Sequence, residues 1–175
     1  MYRLLDWFEE IRDFLEMGGP VLFVIGALSL VMWVLIFERM IYYRTGLPKY
    51  IAGFTDQWKA RSERRSWSAR RIRDAMISRV SNKIEQNLPI IKTLLALAPL
   101  LGLLGTVTGM IEVFEVMAFS GTGNPRSMAA GVSKATIPTM AGMVVALSGV
   151  LASTLLSRFA HRRLEHLRAK LTTER

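Results

Sequence analysis

Four threonines stand out as hydroxyls carried inside long uncharged runs: Thr106 and Thr108 in one, Thr136 and Thr139 in another. A threonine hydroxyl does not titrate near neutral pH; it donates one hydrogen bond and accepts others. It can orient water or bond a carboxylate, and it can equally bond the carbonyl one turn back in its own helix. Titrating groups lie only at the margins of the runs, with Glu112 and Glu115 after the first and Lys134 before the second. A charge at mid-bilayer costs about 2.5–3.5 kcal/mol on insertion scales, so ionisable groups kept there usually have a function. This chain has no carboxylate at such depth. If the runs cross a membrane and serve a proton path, the group that changes protonation has to come from another subunit. The sequence holds no Ser/His/Asp set, phosphate loop or metal-ligand cluster, so nothing in it argues for an enzyme or a cofactor. His161 and His166 sit in a tail with Arg162, Arg163 and Arg168, which repel a cation. The absence of cysteine excludes disulfides and thiolate zinc sites.

The elements that must position these residues are set out by charge. Of the 175 residues, 51% are hydrophobic and 23 are Lys or Arg, and the two classes fall in separate blocks. Such separation is the mark of membrane spans with charged flanks. The formal net charge of +9 therefore points to lipid headgroups as counter-ions, with no nucleic-acid partner. The first twenty residues carry Asp6, Glu9, Glu10, Asp13 and Glu16 against Arg3 and Arg12. A signal peptide needs a basic start and a small-residue cleavage site, so the first span is expected to stay in the protein.

Residues 1–19 read as an amphipathic surface helix with Leu4, Leu5, Phe8, Ile11 and Leu15 on one side, broken by Gly18, Gly19 and Pro20. Residues 20–43 form the first span, with Tyr42, Tyr43, Arg39 and Arg44 as interfacial anchors. Residues 44–92 form a basic helical segment, in which Pro48 is expected to end the extension of the first helix. Met76, Val80, Ile84 and Leu88 step by four, which predicts one helix running on into the second span at 93–117. Pro99 should bend that span, and Gly102, Gly105 and Gly109 thin its surface for close packing. Residues 118–134 form a short connector with the turn sequence SGTGNP at 120–125, so the second and third spans should be antiparallel neighbours. The third span, 135–157, carries Gly142, Ala146, Gly149 and Ser153 on one small-residue face. The basic tail 158–175 places Leu164, Leu167 and Leu171 for a further helical extension. The segment after the first span and the tail after the third are the basic ones. The positive-inside rule thus puts both in the cytoplasm and the N-terminus in the periplasm. The fold class is all-α, an integral membrane protein of three transmembrane helices with long cytoplasmic extensions.

The stretch LLGLLGTVTGMIEVF at 100–114 resembles the second-span signature of the ExbB/TolQ/MotA proton-channel family, and GVSKATIPTMAGMVVALSGV at 131–150 resembles its third-span signature. The likeness is strong from Ile91 to about Ser157 and weaker elsewhere. It implies a homopentamer in the bacterial inner membrane. The pore of that ring, lined by the second and third spans, encloses single-span ExbD-like partners that carry the titrating Asp. It also implies a TonB-like transducer and the energising of siderophore iron, haem or cobalamin import. The family's two pore threonines match Thr106 and Thr139. Thr136, Lys134, Glu112 and Glu115 are then expected as secondary pore or partner contacts. Lys134 stands where many relatives have an acid, so it takes the reading of an interfacial anchor and no relay role. Pro138, beside Thr139, has no explanation in the sequence. The cytoplasmic segment looks short for a TolQ, which favours a compact ExbB-like protein. A TolQ-like subunit for envelope integrity, or a passive scaffold whose basic segment binds anionic lipid, are the alternatives.

Overall fold

A computed structural model describes residues 2–60, 63, 66–120 and 125–172. It holds four helices, α1 (Tyr2–Lys59), α2 (Trp67–Glu85), α3 (Leu88–Ser120) and α4 (Pro125–Thr172), with no strand among the described residues. Three stretches are long and apolar enough to cross a membrane: Gly18–Lys59, Trp67–Phe119 and Met128–Ala169. At 1.5 Å per residue the 33 residues of α3 reach about 50 Å, well beyond a hydrocarbon core of about 30 Å. The 48 residues of α4 reach further still, so both helices run on past the bilayer. The lateral surface is apolar to a degree that water would not tolerate. Leu30, Val34 and Ile41 of α1, Leu100, Leu103 and Phe114 of α3, and Val144, Leu147 and Leu151 of α4 are all at least half exposed.

Helical geometry in α1 is interrupted at Gly19, whose φ of 67° and ψ of −169° lie in a region essentially restricted to glycine. Pro20 then opens the following helix, where a missing N–H costs nothing. The side chains of Leu4, Leu5, Phe8, Ile11 and Leu15 lie outside the described set, as do residues 121–124 of the connector and the side chain of Leu171.

The chain divides into two compact units, residues 1–33 with 93–150, and residues 34–92 with 151–175. The first is centred on Leu22, Ile25, Met32, Ala98, Ala135 and Pro138. The second buries Ile36, Tyr43 and Leu47 of α1, Val80 and Ile84 of α2, and Leu156, Ala160, Leu164 and Leu167 of α4.

Two sequence expectations about helix ends fail in the second unit. Pro48 does not end the first helix, which continues to Lys59. The lost hydrogen bond and the ring clash cost about 3 kcal/mol in an isolated helix, but Leu47 and Trp58 on either side are buried at 0% and 4% exposure. Burial of two large side chains offsets a cost of that size. Nor is the second span continuous with the helix before it. α2 ends at Glu85, and Asn87 takes a φ of 67°, a left-handed conformation that asparagine tolerates better than most residues. Val80, Ile84 and Leu88 stay buried across the break, so the four-residue period had read the inward face correctly while missing the interruption.

The break is held from α1. Tyr43 donates its hydroxyl to the Ile84 carbonyl at 2.6 Å, and Arg39 Nη1 reaches the Lys83 carbonyl at 3.4 Å. These carbonyls belong to the last turn of α2, where the regular donors are missing. Asn87 Nδ2 in turn donates to Glu38 Oε2 at 3.4 Å. Arg39 and Tyr43, expected at the lipid interface, thus turn into the protein at 2% and 1% exposure.

Candidate functional site

α3 and α4 meet along a seam of small residues, and both run through it with an internal proline. A Cβ added to Gly102 would lie 3.0 Å from the Pro138 carbonyl oxygen and 3.0 Å from Thr139 Cα. At Gly142 it would lie 2.6 Å from the Ala98 carbonyl oxygen and 3.2 Å from Gly102 Cα. At Gly109 it would come within 2.6 Å of Ala135 Cβ. The residue numbers rise on one helix as they fall on the other, so the helices are antiparallel. They touch backbone to backbone, as small residues allow. Pro138, unexplained by its sequence context, is fully buried with its ring against the vacancy left by Gly105. Gly149 lies against Leu95 and Met32 side chains, and Ala146 is half-buried.

The hydroxyls along the seam divide into two kinds. Thr106 bonds the Leu103 carbonyl at 2.6 Å, Thr108 that of Gly105 at 3.1 Å, and Thr136 that of Ser133 at 2.8 Å. Each is a bond within its own helix, the local arrangement open to any helical threonine. Thr139 differs: its hydroxyl crosses to α3 and donates to the Gly102 carbonyl at 2.7 Å. A side chain at position 102 would shield that carbonyl, so the crossing bond depends on the glycine. The resemblance singled out Thr106 and Thr139 together, and sequence reasoning did not foresee that of the two only Thr139 has a partner on the other helix. A signal for it existed in the pairing of a glycine with a β-branched hydroxyl on antiparallel neighbours.

Thr106 and Thr139 are both half-buried. Thr106 lines an apolar groove with Val107, Met110, Ile111 and Phe114. Toward the connector, Lys134 Nζ lies 3.7 Å from Glu112 Oε2, with both side chains about half exposed. They flank a cleft whose floor includes Gly109, Val113 and Gly131. An exposed pair of this kind contributes at most about 1 kcal/mol. Glu115 is exposed and forms no ion pair among the described residues. Thr136 is exposed on α4. The structure thus brings together Thr139 with Gly102, and Glu112 with Lys134, while Thr136 bonds within its own helix.

Comparison with known proteins places this seam in context. The model of a family described as the MotA/TolQ/ExbB proton channel family matches residues 47–169. The biopolymer transport protein exbB1 of Vibrio cholerae is 45% identical over 74 residues, which are 40% of this chain and 32% of that protein. The Tol-Pal system protein TolQ of Pseudomonas aeruginosa is 35% identical over 86 residues, 49% of this chain and 36% of that protein. The biopolymer transport protein ExbB of Xanthomonas campestris is 32% identical over 82 residues, 47% of this chain and 32% of that protein. Each match spans about a third of the relative's own length.

Proposed function

This chain belongs to the MotA/TolQ/ExbB proton channel family, and on that premise we propose that it is an ExbB-type subunit of a proton-driven motor. In this reading the spans assemble as a pentamer around an ExbD-like single-span protein that carries a membrane Asp. The assembly energises a TonB-like transducer for import of siderophore iron, haem or cobalamin. It lies in the bacterial inner membrane with the N-terminus periplasmic and the C-terminus cytoplasmic, the spans at 20–43, 93–117 and 135–157.

The observation that carries this reading is that the runs 93–111 and 135–157 hold hydroxyls but no titrating group. A proton route through them needs a partner's carboxyl. The hydrogen bonds of the two pore threonines support one role for them. Thr106 and Thr139 both spend their single proton on backbone carbonyls, which leaves only lone pairs to offer. Such an oxygen accepts from a protonated carboxyl or a water and gains nothing from a carboxylate. It therefore favours the neutral Asp, the form that low dielectric also favours. Moving one charge across the membrane supplies about 2.3 kcal/mol per 100 mV.

Similarity to TolQ supports a second reading, a subunit serving envelope integrity. Native mass spectrometry of the gently extracted protein tests what the two share. A pentameric ring holding a single-span protein with a membrane Asp is expected; a monomer or dimer stable across mild detergents refutes it and favours a scaffold. Deletion then separates the two: failure to grow on siderophore iron for the ExbB-type subunit, detergent sensitivity for the TolQ-type.

A further inference from the structure

Where α3 and α4 leave the charge-free runs, they form a groove with a charge pattern of its own. Lys92 and Arg158 are the charges that bound the runs at this end. Together with Ser153, Thr154, Arg162 and Glu165 they line one surface depression. Three cations thus face one carboxylate. Among the described residues none of Lys92, Arg158 and Arg162 is engaged in an ion pair. The nearby His161 ring is already tied to the Ser157 carbonyl at 2.8 Å.

The arrangement along α4 is amphipathic lengthwise. Leu151, Leu155, Arg158 and Arg162 follow one another at steps of four, three and four, so they share one helix face. Leu151 and Leu155 are 69% and 68% exposed, and both guanidinium groups are exposed too. One stripe therefore presents apolar surface on the bilayer side and two planar cations just beyond it, with Lys92 reaching in from α3. Guanidinium forks bind phosphate oxygens bidentately, and basic pockets between membrane helices suit anionic headgroups. A free phosphate would use the cations and leave the adjoining leucines idle, whereas a phospholipid uses both. We propose that this groove binds an anionic phospholipid, its phosphate held by Lys92, Arg158 and Arg162 and its acyl chains along Leu155 and Leu151.

The test is lipid retention by the purified full chain in mild detergent, read by native mass spectrometry with phosphatidylglycerol and phosphatidylcholine offered together. Wild type should retain phosphatidylglycerol in preference. The triple variant Lys92→Gln/Arg158→Gln/Arg162→Gln should lose that preference, with retention falling roughly fivefold per cation removed. A control triple, Arg70→Gln/Arg71→Gln/Arg79→Gln, makes the same charge change at exposed positions of α2 and should keep the wild-type preference. Should the groove triple fail to fold, Arg162→Gln alone, outside the apolar run, should still show its share of the loss. Equal loss in the control, or equal retention of phosphatidylcholine, overturns the proposal. So does equal thermal protection by millimolar inorganic phosphate, which would make the ligand free phosphate. A changed oligomer distribution with unchanged lipid count overturns it as well, by making the groove a contact between copies. Retention is read without an energised membrane, so its outcome is independent of the motor reading.

Discussion

Replacing Thr139 by Val separates the packing role of this residue from its chemical one. The substitution keeps the β-branched shape and removes the hydroxyl that donates to Gly102 at 2.7 Å. Interhelical hydrogen bonds in membranes are worth about 0.6 kcal/mol on average and at most about 1.7. The Gly102 carbonyl is not orphaned, because it lies inside α3, where the Thr106 N–H is its regular donor. The stability loss should therefore be close to 0.6 kcal/mol by that scale, a factor of about three in the folding equilibrium. For a chain of this size that lowers the melting temperature by about 1–3 °C. Energised transport should fall far more, because the lone pairs offered to a protonated carboxyl disappear completely. The assay is growth on siderophore iron, with oligomer size and melting temperature measured on the same variant, and Thr139→Ser as the rescue. Transport by Thr139→Val within about twofold of wild type would refute the chemical role, a change of only about 0.4 kcal/mol in barrier. A melting temperature lowered by about 10 °C, with Thr139→Ser equally inactive, would refute it as well, since that exceeds the hydrogen-bond scale several-fold and points to packing.

Gly142→Ala should destabilise the chain by about 1–3 kcal/mol, because the added Cβ meets the Ala98 backbone oxygen at 2.6 Å; thermal unfolding in detergent measures it. Gly26→Ala should be neutral or stabilising by up to about 1 kcal/mol, since nothing lies within 4 Å of its Cβ position, and the same scan reads it. Tyr43→Phe should cost about 1 kcal/mol by freeing the Ile84 carbonyl, with hydrogen exchange accelerated in the last turn of α2. Lys134→Ala should change stability by no more than about 1 kcal/mol, because its contact with Glu112 at 3.7 Å is exposed; a melting loss of many degrees would contradict that.

Most of the architecture is legible in the residues themselves. Three uncharged runs bounded by Lys, Arg and Glu leave little choice but three crossing helices, and the period of Val80, Ile84 and Leu88 points to the buried face. What could not be read are features decided by tertiary contact. Pro48 looks like a terminator until the burial of Leu47 and Trp58 is known. Arg39 and Tyr43 look like interface anchors, although they stand on the same stripe as Ile36 and Leu47, which was the available hint. Thr139 could be recognised as a hydroxyl in an apolar run, but the bond it makes depends on which carbonyl the opposite helix leaves uncovered. Pro138 was opaque because its explanation sits at Gly105, on another helix.

That last contact couples two positions into a single unit of change. With the Pro138 ring filling the space over Gly105, any enlargement at 105 has to be answered by a loss of bulk at 138. A library that randomises position 105 alone should return almost only glycine. One that randomises both should recover pairs whose combined volume is held constant, a geometric bookkeeping that no single substitution can display.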